Sequence, residues 1–188
     1  MGKNLKLGLV LLAITAATGL ILGLAHEITL EPIRATQERQ RQEAFRASLP
    51  GADSFSSLPV PPGSLVREVQ EGRKGGSVLG HVFTVAPKGY AGPVVFVVGI
   101  SRDGVVRGIR ILSQGETPGL GANAGEPSFS GQFAGKRAEP LKVVKTPPAD
   151  PQDIQAISGA TITSRAFVGG VNDAVEAWKK HFAEGARP

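Results

Sequence analysis

Hydroxyl side chains crowd one short segment, Ile157-Ser158-Gly159-Ala160-Thr161-Ile162-Thr163-Ser164, with only small or aliphatic residues between them. An amphipathic pattern begins directly after it, so the segment lies where a helix starts. Helix starts carry unpaired N–H groups and a partial positive charge, which stabilise a phosphate. Arg165 adds a possible counter-charge. The competing use is structural: Thr163 or Ser164 caps the helix through its side-chain oxygen. Taken alone, the physics favours the cap, but one cap needs only one hydroxyl, so both uses can coexist.

A second segment, Gly115 to Gly125, is so rich in glycine that backbone N–H groups there can approach a flat or anionic ligand closely. Neither glycine-rich stretch makes a nucleotide loop. Gly131-Gln-Phe-Ala-Gly135-Lys136 is one residue short of a P-loop and lacks its Ser or Thr, and the run Gly119 to Gly125 misses the dinucleotide spacing.

Other chemistries are excluded by composition. The 188 residues include no cysteine, which removes disulfides, thiolate metal sites, iron–sulfur ligation and a thiol nucleophile. Redox chemistry on this chain therefore needs a borrowed cofactor. His26, His81 and His181 stand too far apart for a metal motif and read as surface or packing residues; no metal site is expected. No G-x-S-x-G elbow occurs, so hydrolase chemistry has no foothold. The net charge is +5, yet Lys and Arg are scattered without interleaved aromatics, which argues against nucleic acid and suits anionic lipid or an acidic partner surface.

The elements that must position these segments can be read from hydrophobic patterning. Val78–Ala86, Val94–Ile100 and Val105–Leu112 are strand candidates rich in β-branched residues, and Asp103–Gly104 is a hairpin signal. VVFVVGI is apolar on both faces and predicts a covered strand, whereas VVRGIRIL alternates. Leu141–Lys145 is a fourth candidate, followed by a turn over Pro147–Pro151. Phe167, Val171, Ala174, Val175, Trp178 and Phe182 recur at spacings of three and four, giving a helix with one apolar stripe to pack on a sheet.

At the other end, Leu7 to Ala25 is an uncharged run of about 19 residues, close to the span of a bilayer core. It predicts a membrane helix, retained in preference to a cleaved signal. Gly19 and Gly23 form a GxxxG beside Ala13, Ala16 and Ala17. Lys3 and Lys6 before the run, and Arg34, Arg39 and Arg41 after it, leave the orientation undecided. Pro32 predicts the start of a polar stalk helix ending near Leu49, at Pro50 and Gly51. Ser54 to Ser64, with Pro59, Pro61 and Pro62, reads as an irregular connection. The expected organisation is a 1–6 N-terminus, a 7–25 transmembrane helix, a 26–64 stalk and linker, and a 65–188 domain of α+β class: a mainly antiparallel sheet with a packed C-terminal helix.

SGATITS at 158–164 resembles the flavinylation motif of the FMN-binding domain shared by the G subunit of the Rnf complex and the C subunit of the Na+-translocating NADH:quinone reductase. Glu116-Thr117-Pro118-Gly119-Leu120-Gly121 is similar to the ETPGLG loop of the Rnf G subunit, and Gly89-Tyr90-Ala91-Gly92-Pro93 to the family's G-Y-x-G-P element. With the anchor, the resemblance spans nearly the whole chain. It implies FMN attached as a phosphoester to Thr161, with Ser158, Gly159, Ala160, Thr163 and Ser164 around it. Thr117, Gly119 and Leu120 would lie near the ring system, with Glu116 structuring the turn. Tyr90 is expected to pack at a strand edge, and Lys136 reads equally well as a surface charge or as part of the site. The family usually has aspartate in a V-D-A-[IV]-SGAT arrangement; this chain has Gln155 there, with Asp153 displaced by two positions.

The resemblance further implies an electron-transfer subunit of an ion-translocating ferredoxin:NAD+ oxidoreductase, not catalytic alone. Its partners would be the other membrane and peripheral subunits, a flavin transferase and the bilayer. The N-terminus would be cytoplasmic and the FMN domain periplasmic or extracellular. The alternatives are the quinone-reductase C subunit, or a non-redox membrane-tethered adaptor with Thr161 unmodified.

Overall fold

The computed structural model describes residues 2–61 and 66–183, without the side chain of Lys3. Pro62 and Ser64 of the expected connection, the expected domain start at 65 and the last five residues lie outside the described residues. Two compact units divide at Arg41 and Gln42.

In the first unit the chain is helical throughout from Lys3, within α1 (Lys3–Ser48). It contains a segment apolar enough to cross a membrane, with mean hydropathy 2.4 and its large aliphatic side chains exposed. The two helices expected from the sequence are one. Pro32 sits inside α1 instead of opening a second helix: it removes one backbone hydrogen bond and crowds the carbonyl one turn earlier, yet the residues on either side remain helical. The hydroxyl of Thr36 donates to the Pro32 carbonyl at 2.8 Å.

The second unit is built on an antiparallel meander, β1 (Ser54–Leu58), β2 (Val66–Lys74), β3 (Ser77–Val85), β4 (Val95–Ser101) and β5 (Val106–Ser113), in that spatial order. The stretch read as irregular connection thus contributes β1, paired with β2 from Ser54 opposite Arg73 to Leu58 opposite Val69. Its serines hide the strand in the sequence, since an edge strand needs no apolar alternation. β4 is covered on both faces, as its apolar run predicts. β4 and β5 are joined by the hairpin that Asp103–Gly104 signals, with Gly104 alone in the left-handed region, at φ +74°.

One face of the sheet packs on α3 (Thr161–His181) and on the short α2 (Pro127–Ser130). Phe167 of α3 stacks on Phe96 of β4 at 4.7 Å between ring centroids and meets Phe129 edge-on at 5.8 Å. This fixes the height of the first turns of α3 over the sheet. The opposite face is covered by Ala44, Phe45 and Leu49 at the end of α1, against Val82 and Val97.

The fourth strand candidate, β6 (Lys142–Val144), does not join the meander. It pairs in parallel with β7 (Asp153–Gln155) in a separate two-stranded sheet. Two amide side chains hold that small sheet in place. Asn172 of α3 accepts from the Leu141 N–H at 2.8 Å and donates to its carbonyl at 3.1 Å. Gln132 likewise accepts from the Gln155 N–H at 2.7 Å and donates to its carbonyl at 3.3 Å. β7 therefore delivers the hydroxyl-rich segment to the start of α3 from a fixed origin.

Candidate functional site

The three glycine-bearing motifs, distant in sequence, meet at the N-terminus of α3. Tyr90 from the first, Glu116, Thr117, Leu120 and Gly121 from the second, and Gly159 through Thr163 from the third line one cavity of about 530 Å³. That volume lies in the range of small-molecule and cofactor sites. Its rim is apolar and open: Tyr90, Leu120 and Ile162 are all exposed.

Glu116 joins the motifs. Its side chain is buried, with Oε1 accepting from the Ala91 N–H at 3.0 Å and Oε2 accepting from the Thr163 hydroxyl. Its own N–H donates to the Gln114 side chain at 2.8 Å. Space for the carboxylate is made by glycine: a Cβ on Gly89 would fall 2.5 Å from Oε1, and one on Gly121 would fall 2.5 Å from Oε2. A Cβ on Gly159, whose φ is +76°, would lie 2.9 Å from Leu120, so the loop 116–121 and the segment 157–164 also touch there.

The hydroxyls of the third motif divide sharply. Thr163 is buried and bonded to Glu116. Ser164 is buried, donating to the Ala160 carbonyl at 2.9 Å and accepting from the Ile157 N–H at 3.0 Å, so it closes the loop that precedes the helix. Ser158 is exposed and outside the cavity wall. Thr161 opens α3 in the cavity wall, half-buried, and its hydroxyl has no hydrogen-bond partner among the described residues.

Neither Thr163 nor Ser164 caps the helix, contrary to the structural alternative drawn from the sequence. The N-cap position is Ala160, with no side-chain hydrogen bond to the first turn. Both hydroxyls lie within the first turn, past the position from which an N-cap oxygen reaches the N2 or N3 amide. The start of α3 is consequently not occupied by a side-chain cap and is open to an anion, and Gly159, exposed and without a side chain, leaves the backbone bare beside it.

Other expectations are revised. Tyr90 is 69% exposed at the cavity rim instead of packed at a strand edge. Lys136 is no simple surface charge: its ammonium donates to the carbonyls of Pro151 and, at 3.0 Å, Asp153, bracing the entry to β7. Asp153 is buried, and its Oδ2 accepts the N–H groups of Ala149 at 3.3 Å and Asp150 at 3.1 Å, so its carboxylate builds a turn. The side chain of Gln155 is exposed. Gly119 has φ +76° in open space, serving the turn alone. Sequence reasoning missed Gly121 and Ile162 as wall residues. The recurrence of glycine after Glu116 was the signal for the first, and nothing in the sequence marked the second.

The cavity suits a flavin mononucleotide, with an uncapped helix start for the phosphate and an apolar rim for a flat ring system. Comparisons with known proteins agree. Residues 89–176 match the model of the FMN-binding domain. The G subunit of the Na+-translocating ferredoxin:NAD+ oxidoreductase complex of Acetobacterium woodii is 38% identical over 190 aligned residues, covering 93% of this chain and 91% of that protein. The G subunit of the proton-translocating complex of Clostridium ljungdahlii is also 38% identical, with 85% and 83% covered. Among solved structures, the C subunit of the Na+-translocating NADH-quinone reductase from Parabacteroides distasonis is similar, with a TM-score of 0.52 at 28% identity, covering 60% of this chain and 61% of that one. NqrC of Shewanella oneidensis shares the fold, with a TM-score of 0.50 at 21% identity and 69% of each chain covered. With its FMN-binding domain and its likeness to these proteins over most of its length, the chain belongs to the family of G subunits of ion-translocating ferredoxin:NAD+ oxidoreductase complexes.

Proposed function

We propose that this chain is an electron-transfer subunit of a membrane-bound, ion-translocating ferredoxin:NAD+ oxidoreductase complex of the Rnf type, carrying FMN as a phosphoester of Thr161. The observation that carries the attachment site is the division of hydroxyls: Thr163 and Ser164 are committed to internal bonds, whereas Thr161 stands free in the cavity wall. FMN, when bound, accepts and donates electrons, and the protein sets its position and surroundings.

The chain's own contributions follow from the geometry. The N–H groups at the start of α3 and its partial positive charge would hold the phosphate. Gly159 and Ala160 keep side chains out of its way, and Tyr90, Leu120 and Ile162 give the ring system apolar contact. In forming the ester, the Thr161 oxygen gains a bond to phosphorus and its hydroxyl proton is lost. The phosphoanhydride bond of an activated flavin donor breaks, and its nucleotide departs. A flavin transferase would catalyse this transfer and take up the proton, since the one carboxylate among the described lining residues, Glu116, is already engaged by the Ala91 N–H and the Thr163 hydroxyl.

The apolar part of α1 would anchor the chain in the bilayer, with the FMN domain on the outer face and the other membrane and peripheral subunits as neighbours. A covalent link suits that face, where a dissociated cofactor is not readily replaced. The quinone-reductase C subunit is the second reading, supported by the shared fold. The coverage of the G-subunit relatives favours the first.

Membrane vesicles from a host lacking this chain separate the possibilities. Restoring it should restore ferredoxin-driven NAD+ reduction, and the Thr161→Ala form should not. Recovery of NADH-driven quinone reduction in its place would favour the second reading, and recovery of neither would remove the electron-transfer role. Protease added to intact spheroplasts should cut the FMN domain; protection would reverse the proposed orientation.

A further inference from the structure

We infer that Glu116 sets the reduction potential of the bound flavin, holding it low by presenting a fixed negative charge to the cavity. This rests on the reading of the cavity as an FMN site. Among the described lining residues Glu116 carries the one charged side chain, and no Lys or Arg lines the cavity. Arg165, the basic residue next to the attachment segment, is exposed and outside the wall.

The charge is held in place. Both carboxylate oxygens accept hydrogen bonds, from the Ala91 N–H and the Thr163 hydroxyl, so neither is left without a donor. Gly89 and Gly121 flank the two oxygens, and the carboxylate fits between them only because neither carries a Cβ. At 6% exposure it is screened by salt less than a surface carboxylate is.

Reduction adds an electron to the ring system. A fixed negative charge in the same cavity opposes that step, whereas a cation would assist it. The start of α3 offers only about half a positive charge, and the negative charge of the phosphate offsets it. Among the described lining residues no cation therefore compensates Glu116, and its effect on the potential is downward. A low setting keeps the flavin an electron donor in a chain that runs from ferredoxin to NAD+.

Redox titration of the full, flavin-loaded chain followed by its absorbance tests this. Glu116→Gln keeps the shape of the side chain and an oxygen to accept from Ala91, and its midpoint should lie above that of the wild type. An unchanged or lower midpoint overturns the inference. Ile162 is exposed and lines the same cavity, so variants there do not depend on Glu116 for folding. Ile162→Lys should raise the midpoint and Ile162→Glu should lower it; equal midpoints in that pair also overturn the inference. A wild-type chain without flavin would remove the cofactor reading first, and this inference with it, an outcome distinct from loaded variants with unaltered midpoints.

Discussion

The hydroxyl of Thr163 donates to Oε2 of Glu116 across 47 positions of sequence, and the first turn of α3 is thereby fastened to the loop 116–121. The other oxygen of Glu116 holds the Ala91 N–H, so one carboxylate aligns all three segments of the cavity. Replacing Thr163 by Val strands a buried carboxylate oxygen. The expected cost is about 1–3 kcal/mol, read by thermal unfolding of the full chain in detergent, with Thr163→Ser recovering most of it. Flavin attachment should persist, since Thr163 is not the proposed ester site. A Thr163→Val chain as stable as the wild type would show that the bond contributes nothing.

The glycines of the same loop separate into two kinds. A Cβ on Gly121 would meet Glu116 Oε2 at 2.5 Å and Thr163 Oγ1 at 2.7 Å, whereas one on Gly119 meets nothing within 4 Å. Gly121→Ala must displace the carboxylate, costing about 1–3 kcal/mol and lowering the yield of flavinylated protein. Gly119→Ala incurs only the left-handed backbone strain of about 1–2 kcal/mol and should load flavin normally. Gel fluorescence normalised to protein distinguishes them, and equal loading of both variants would contradict the packing argument.

What could be read from the sequence follows from which forces are local. β3, β4 and β5 announce themselves through β-branched runs, and α3 through an apolar stripe that the structure buries. β1 and β2 do not, because Ser54–Leu58 is largely serine and Val66–Lys74 is strongly charged; their pairing register holds them, and register is not local. Hydroxyls at a helix start could be recognised as significant, but not sorted. Which one is free depends on Glu116 and on the Ile157 N–H, and these partners come from tertiary structure and loop closure.

His81 gives the fold a pH dependence. Burial holds its imidazole below the ordinary value of 6.5, with the Glu71 carboxylate opposing more weakly. The ring lies 4.3 Å from that of Phe182, and its Nδ1 is buried without a partner among the described residues. The folded chain thus binds a proton less readily than the unfolded chain. This contribution is intact above about pH 6.5 and is lost as pH falls through the depressed folded value. The melting temperature of the wild type should fall between about pH 7 and pH 5 by more than that of His81→Phe. Parallel curves would exclude His81 as the cause.

Attachment of flavin at Thr161 is read by in-gel fluorescence after denaturation of the full chain, expressed in membranes of a host that has a flavin transferase. The wild-type band should fluoresce, the Ser158→Ala and Thr163→Val bands should retain the signal, and the Thr161→Ala band should be dark. A fluorescent Thr161→Ala band, or a dark wild-type band, would contradict the account.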